Sequence, residues 1–291
     1  VRVLLTGAGG QLGRELQRSA PQGCELHAFA RADLDVTDAD AVQAAIDRVE
    51  PDGILKASAY TRVDAAEEEA EAAYAVNETG AANLARAAAQ AGARLVYVST
   101  DYVFDGASPR PYGPDAAPNP LNVYGASKLA GERAVQRILP EASLILRTSW
   151  LYSAYGANFV MSILGLLRER ERLDVVCDEI ASPTWARGLA ETIWRCAGDP
   201  GLTGILHWCD AGIASRYDFA VAIAEEAGAR GLGVRTGDIR PVRSNRQTAV
   251  SRPAFSGLDP ASGARASGRR LQHWRAALRE MLDELGAQAD A

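Results

Sequence analysis

Tyr124 and Lys128 stand four residues apart in Tyr124-Gly125-Ala126-Ser127-Lys128. On a helix that spacing puts both side chains on one face, about 5–6 Å apart at Cβ. A phenol, with an ordinary pKa of about 10, is a slow acid near neutrality. A neighbouring ammonium favours its phenolate, each pKa unit being worth about 1.4 kcal/mol. A tyrosine so placed can hand a proton to a carbonyl oxygen. The pair alone is weak evidence, because the same spacing arises by chance on exposed helices. It gains weight from Ser99-Thr100-Asp101, which ends an apolar run one element earlier. A hydroxyl there can hold the same carbonyl oxygen, with Thr100 the first candidate and Ser99 the second. Hydroxyls that merely cap a turn are the alternative.

A second constellation lies at the start of the chain. Thr6-Gly7-Ala8-Gly9-Gly10-Gln11-Leu12-Gly13 follows a short apolar run and opens a helical pattern. Gly7, Gly10 and Gly13 recur every third residue. Without side chains, the backbone there can turn sharply and approach a pyrophosphate, while the helix start offers free N–H groups. A glycine-rich turn with no ligand is the alternative, but the strand before and the helix after favour a dinucleotide. An acidic residue ending the second strand would hold the ribose 2′-hydroxyl of NAD. Here the strand ends Phe29-Ala30-Arg31, and a guanidinium suits a 2′-phosphate. NADPH is therefore expected before NADH, the alternative being a surface arginine with Asp33 or Asp35 near the adenosine. The chemistry expected is hydride addition to a carbonyl carbon, with Tyr124 protonating the oxygen and the Lys128 stem reaching the nicotinamide ribose.

These groups need a scaffold. Strand patterns at 3–6, 25–30, 53–57, 95–99 and 144–148 alternate with helical patterns at 13–20, 38–49, 67–91 and 124–137. Such alternation implies right-handed βαβ units and a parallel sheet. The expected fold class is α/β: a Rossmann-type doubly wound parallel sheet with a smaller C-terminal substrate-binding lobe. Residues 1–150 form the dinucleotide-binding domain and 151–291 mainly the lobe, with some segments returning to the first domain. Prolines at 109, 111, 114, 118 and 120 predict a long loop after the fourth strand, at the sheet end where ligands sit. Further helices are predicted at 158–170, 186–197, 217–226 and 271–285, a strand at 205–208, and mostly irregular chain at 235–258. The acidic run Glu67-Glu68-Glu69 reads as a solvated first helical turn.

Bulk properties narrow the class. A net charge of −6 gives no broad field for nucleic acid, so no such partner is expected. The four cysteines, Cys24, Cys177, Cys196 and Cys209, form no C-x-x-C pair, and with three histidines there is little for a zinc site. Scattered thiols suit a reducing cytoplasm. No apolar run reaches membrane-span length and no secretory pattern precedes the first strand, so a cytoplasmic protein with no membrane partner is expected.

The glycine loop, Thr100 and the Tyr124–Lys128 pair together resemble the extended short-chain dehydrogenases. Further segments resemble the dTDP-4-dehydrorhamnose reductases and cover most of the chain. They are Ser99-Thr100-Asp101-Tyr102-Val103-Phe104-Asp105-Gly106, the stretch Pro120 to Glu132 around Tyr124, and Arg147-Thr148-Ser149-Trp150-Leu151-Tyr152. Ala59-Tyr60-Thr61, Val76-Asn77, Ser182-Pro183-Thr184 and Arg252-Pro253 with Ser256, Leu258 and Asp259 belong to the same set. The resemblance implies NADPH- or NADH-dependent reduction of the C4 keto group of a dTDP-linked 4-keto-6-deoxysugar. It implies Thr100, Tyr124 and Lys128 as the catalytic group. Gly10, Gln11 and Leu12 would line the pyrophosphate, Asp35 and Val36 the adenine side, and Ala59 and Thr61 the ribose-nicotinamide side. Thr100, Asp101 and Trp150 would meet the sugar. Some members are described as magnesium-assisted dimers, which raises Mg2+ with Glu15 as a ligand, and a homodimer. An acidic chain binding a diphosphate needs local cations, for which Arg243, Arg246 and Arg252 are candidates. Three positions depart from the family pattern: Lys56 in place of asparagine, Glu179 in place of glutamine, and Arg216 in place of tryptophan. An epimerase or dehydratase of the same fold, or a non-catalytic NADP-binding regulatory subunit, are the competing readings.

Overall fold

The structure is a computed structural model and describes residues 1–235, 237–245 and 250–289, with Gln288 and Ala289 described as backbone alone. Its first half runs β1 (Arg2–Thr6), α1 (Gln11–Arg18), β2 (Glu25–Phe29), α2 (Ala39–Val49), β3 (Gly53–Lys56), α3 (Ala70–Tyr74), α4 (Gly80–Ala91), β4 (Arg94–Thr100), α5 (Val123–Ile138) and β5 (Ser143–Thr148). Then follow β6 (Leu151–Tyr152), α6 (Phe159–Glu169), β7 (Arg172–Val176), β8 (Ile180–Ala181), β9 (Thr184–Trp185), α7 (Ala186–Ala197) and β10 (Gly204–His207). The chain ends with β11 (Ala214–Ser215), α8 (Arg216–Ala229), β12 (Asp238–Val242), α9 (Ala261–Ser267) and α10 (Trp274–Ala289).

Six strands form a parallel sheet in the order β10-β5-β4-β3-β1-β2. Both faces are covered, so its central strands are apolar at nearly every position. Within β1, Leu4 faces a core built from α2, α4 and α5 through Ile46, Leu84 and Val135. Its neighbours Val3 and Leu5 face α1 and α7 through Leu12, Leu16, Leu189 and Ile193. Alternate residues thus point to opposite helix layers, as the two-residue strand period requires. The order reverses between β1 and β3, and the crevice for a ligand opens there, at the carboxyl ends of the strands.

A separate apolar core joins α6, α8 and α10 through Leu164, Leu167, Phe219, Ile223, Leu278 and Met281. Around it lie three two-stranded sheets, β11 with β8, β12 with β7, and β6 with β9.

Three expectations need correction. The helix expected over 67–91 is broken. A 3-10 turn at Ala65–Glu67, the short α3 and a π-turn at Ala75–Thr79 precede α4. The wide turn carries buried Asn77, whose side chain bonds both backbone groups of Tyr60 and the Ser127 hydroxyl. Tertiary hydrogen bonds therefore override an alanine-rich helical pattern. The acidic run is also more than a solvated turn. Glu67 accepts the Val123 N–H at the start of α5 at 2.8 Å, and Glu69 accepts from the Tyr60 hydroxyl and from Arg62. In the stretch expected to be irregular, β12 pairs in parallel with β7; its Pro241 is tolerated because a two-stranded sheet has only edges.

Candidate active site

A cleft of about 800 Å³ runs across the carboxyl ends of the strands. Its first wall is the turn from β1 to α1. Gly7 has φ +81°, and a Cβ there would lie 2.5 Å from the Ser58 nitrogen. A Cβ on Gly13 would lie 2.1 Å from the Gly7 carbonyl oxygen. The helix can therefore start this close to the sheet only with glycine at both places. Gly10 caps α1 without a side chain, leaving the first N–H groups to face the cleft, where Gln11 and Leu12 also lie.

Arg31, Asp35 and Val36 line the far end of the cleft beyond β2. Asp35 is held below its ordinary pKa by hydrogen bonds from Thr37, with Arg31 contributing. Ala59 and Thr61 form the wall that follows β3.

Thr100, Asp101, Tyr124 and Lys128 meet at the opposite wall, with Trp150 beside them. Helix α5 is fixed there at its first turn. Asn122 accepts the Gly125 N–H at 2.8 Å and donates to the Ser251 carbonyl at 2.9 Å. Gly125 packs so tightly on the turn after β4 that a Cβ would meet the Tyr102 carbonyl oxygen at 2.1 Å. Gly131 packs equally closely on the Asn77 carbonyl. These contacts set where the Tyr124 ring stands, edge-on to Tyr102 at 5.8 Å.

The Thr100 hydroxyl lies within hydrogen-bonding reach of Tyr124 and 3.1 Å from Asp101 Oδ1. Burial, then Asp101 and Tyr102, push the Tyr124 phenol above its ordinary pKa, against the Thr100 hydrogen bond. This reverses the expected lowering. The Lys128 ammonium is turned away, donating to the Val98 carbonyl at 2.7 Å and resting 4.1 Å from the Tyr97 ring centroid. Burial brings Lys128 down to about 7, opposed by Glu132. Asp101 is buried and raised to about 6, even though Ser256 and Thr100 donate to it. The arrangement keeps the phenolic proton in place, with the Thr100 hydroxyl as its hydrogen-bonding neighbour. It can present one proton to an oxygen lodged between Tyr124 and Thr100.

The family profile described as RmlD substrate binding domain matches residues 1–287. The chain belongs to that family. This RmlD-family chain is 42% identical over 285 residues to dTDP-4-dehydrorhamnose reductase of Mycobacterium tuberculosis H37Rv, covering 95% of this chain and 91% of the relative. It is 40% identical over 288 residues to a dTDP-4-keto-6-deoxy-D-glucose reductase of Streptomyces niveus, covering 98% of each. Among solved structures, a Bacillus anthracis dTDP-4-dehydrorhamnose reductase in complex with NADP is similar with a TM-score of 0.91 at 37% identity, covering 97% of this chain and 99% of that one. A Thermus thermophilus UDP-glucose 4-epimerase in complex with NAD shares the fold, with a TM-score of 0.82 at 19% identity, covering 98% and 99%.

Two residues expected at the site of this RmlD-family protein lie elsewhere. Arg252 places both contacts of its Nη2 on the Asp64 carboxylate, at 2.6 and 2.8 Å, rather than on the cleft wall. Glu15 is buried under α1, where Arg187 donates to it at 3.1 Å and Arg18 lies 3.9 Å away. Arg187 and Arg18 also pair with Glu284 of α10. Two carboxylates met by two guanidiniums have no net negative charge left for a divalent cation, so magnesium does not fit at Glu15. Among the described residues, no three His, Cys, Asp or Glu side chains converge as a metal site. Arg243 is exposed, and Arg246 lies outside the described residues.

Sequence reasoning missed three contributors. Asn77 ties α5 to the wall after β3, and its signal was the asparagine quoted inside a helical pattern. Lys56 is buried at the end of β3, donating to the Ser58 carbonyl at 2.8 Å and the Val76 carbonyl at 3.3 Å. It thereby pins the segment that packs on Gly7, and it shares the Tyr97 ring with Lys128. Burial and the Lys128 charge hold it well below the ordinary lysine range. Arg216 lines the cleft and pairs with Glu179, so two departures from the family pattern are partners.

Proposed function

We propose that this protein reduces the C4 keto group of dTDP-4-dehydro-β-L-rhamnose to give dTDP-β-L-rhamnose, with NADPH or NADH as the reductant. The observation that carries the proposal is the meeting of Thr100, Tyr124 and Lys128 on one cleft wall, facing a glycine turn that opens a helix. The relatives named as reductases of dTDP-linked 4-keto sugars support it.

The cofactor fits this cleft: the side-chain-free turn at Gly7, Gly10 and Gly13 leaves room for a pyrophosphate. Gln11 and Leu12 would flank it, Arg31, Asp35 and Val36 would hold the adenosine, and Ala59, Thr61 and Lys128 the nicotinamide end. When bound, the reduced nicotinamide supplies the hydride for the sugar C4. Tyr124 holds the proton that goes to O4, and Thr100 orients the same oxygen. Asp101 and Trp150 border the sugar. The four cysteines are unpaired thiols, which suits the cytoplasm proposed here. Among the described residues, no helix is long and apolar enough to cross a membrane.

The test is loss of absorbance at 340 nm with NADPH and dTDP-4-dehydro-β-L-rhamnose, followed by product identification. Net NADPH consumption with a dTDP-rhamnose product is expected. An epimerised substrate with no net consumption would refute the proposal. Recovery of a 6-deoxy-D-sugar would instead favour the activity named for the Streptomyces niveus relative.

Two further outcomes are expected in this assay. NADPH outperforms NADH, and Arg31→Ala lowers kcat/KM for NADPH about tenfold, the worth of one charge-assisted hydrogen bond. A wild-type enzyme that strongly prefers NADH contradicts the role of Arg31. Chelation with EDTA leaves turnover unchanged, because arginines already neutralise Glu15. A rate restored by added Mg2+ after chelation contradicts that reading.

A further inference from the structure

We propose that Arg216 binds the diphosphate of the nucleotide-sugar substrate, with Glu179 as the counter-ion that the diphosphate displaces. The inference rests on the function proposed above and names the residue that reads the substrate's charge. The cations on the cleft wall are Arg31, Lys128 and Arg216. Arg31 stands at the far end beyond β2, and Lys128 is committed to the Val98 carbonyl. That leaves Arg216, among the described residues, to meet the charge on the sugar side.

Its setting is built for the task. Arg216 is the first residue of α8, on a helix start fixed by a capping box between Ser215 and Asp218. Its Cζ lies 3.8 Å from the Trp150 ring centroid and 4.9 Å from that of Phe159. A guanidinium on aromatic faces is positioned without using its N–H fork, and a fork is what a phosphate oxygen pair accepts. The nearest carboxylate, Glu179 Oε2, is 3.7 Å away, an ion pair too long for a hydrogen bond. Among the described residues, no hydrogen bond engages the guanidinium, while the Arg216 backbone N–H donates to the Glu179 carbonyl at 3.1 Å. Trp150, the platform, has φ 40°, a left-handed conformation that a tryptophan adopts only under tertiary constraint. Arg216 also faces Asp101 and Tyr102, so its charge offsets the acidic wall that a diphosphate would otherwise meet.

The experiment is calorimetric titration of the NADP-loaded protein with dTDP and, separately, with thymidine, alongside the NADPH assay on the wild type. Arg216→Met is expected to weaken dTDP about tenfold or more and leave thymidine unchanged. Glu179→Gln removes the competing carboxylate and is expected to tighten dTDP severalfold. Unchanged dTDP affinity in Arg216→Met, or equal losses for dTDP and thymidine, overturns the assignment. If Arg216→Met does not fold, Glu179→Gln decides: tighter dTDP supports the proposal and unchanged dTDP overturns it. A wild type that binds dTDP but never oxidises NADPH with the keto sugar removes the proposed reaction and leaves the diphosphate contact to be judged by the titrations. A wild type that binds no dTDP overturns both.

Discussion

Tyr124→Phe lowers kcat about 10²-fold or more, the usual worth of a positioned general acid, with KM for NADPH little changed. The ring keeps its packing against Tyr102, and only the hydroxyl beside Thr100 is lost. The geometry also sets the pH behaviour. Burial, Asp101 and Tyr102 hold the phenol above its ordinary pKa, so it stays protonated across the assay range. That is the form a reduction consumes, and the same shift makes it a reluctant donor. Thr100, the group that lowers the phenol's pKa, therefore matters to the rate as well as to orientation. Kinetics of the variant from pH 6 to 9, with thermal denaturation to verify folding, decide the matter. Near-normal turnover would remove Tyr124 from the mechanism.

Lys128→Met loses activity by about 10²- to 10³-fold and gains stability. The two effects share a cause. Burial lowers the Lys128 pKa from 10.5 to about 7. Below the folded value the buried amine is charged, and its desolvation cost is fully present. Between about 7 and 10.5 the unfolded chain binds the proton more tightly, so this cost fades as pH rises. The cost removed near pH 7 is on the order of a few kcal/mol. Against it stand the Val98 carbonyl left without its partner, about 1–3 kcal/mol, and the contact with the Tyr97 ring. The groups that face this amine are Glu132, which favours its charge, and Lys56, with which it shares mutual repulsion. The expected result is a Tm above wild type by a few degrees at pH 7, the gap closing toward pH 10. A variant less stable at pH 7, or a gap independent of pH, contradicts this reading.

Much of the scaffold was legible because local pattern and tertiary environment agree. The Asp38 cap, the buried stripe Val42, Ala45, Ile46 and Val49, and the left-handed stop at Glu50 make α2 readable from its own residues. The fully buried β5 opens on Ser143 and runs Leu144-Ile145-Leu146 to Arg147, whose charge is answered by Glu132 on α5. Where the two levels disagree, the sequence is silent. The π-turn at Ala75–Thr79 is imposed by bonds to Tyr60 and Ser127, 17 and 50 residues from Asn77. The edge strand β12 carries Pro241 and two exposed positions, which reads as loop until β7 is beside it. Helix α9 is built from Ala, Ser, Gly and Arg and has no apolar stripe of its own.

The site divides the same way. Glycines, Thr100, Tyr124 and Lys128 announce themselves because their chemistry needs particular residue types at short spacing. Arg216 does not, because its partners Trp150 and Glu179 come from other elements and only folding brings the three together. Arg252 looked like a substrate ligand on charge alone, and its partner Asp64 lies 188 residues away.

The charges beneath the glycine turn tie α1 to α7 and α10. Glu15 on α1 is neutralised by Arg187, which also grips Glu284 near the close of the last helix. Without Glu284, Arg18 and Arg187 share the single Glu15 carboxylate between two guanidiniums. Losing the last turns of α10 therefore leaves surplus positive charge beneath the wall of the nucleotide pocket.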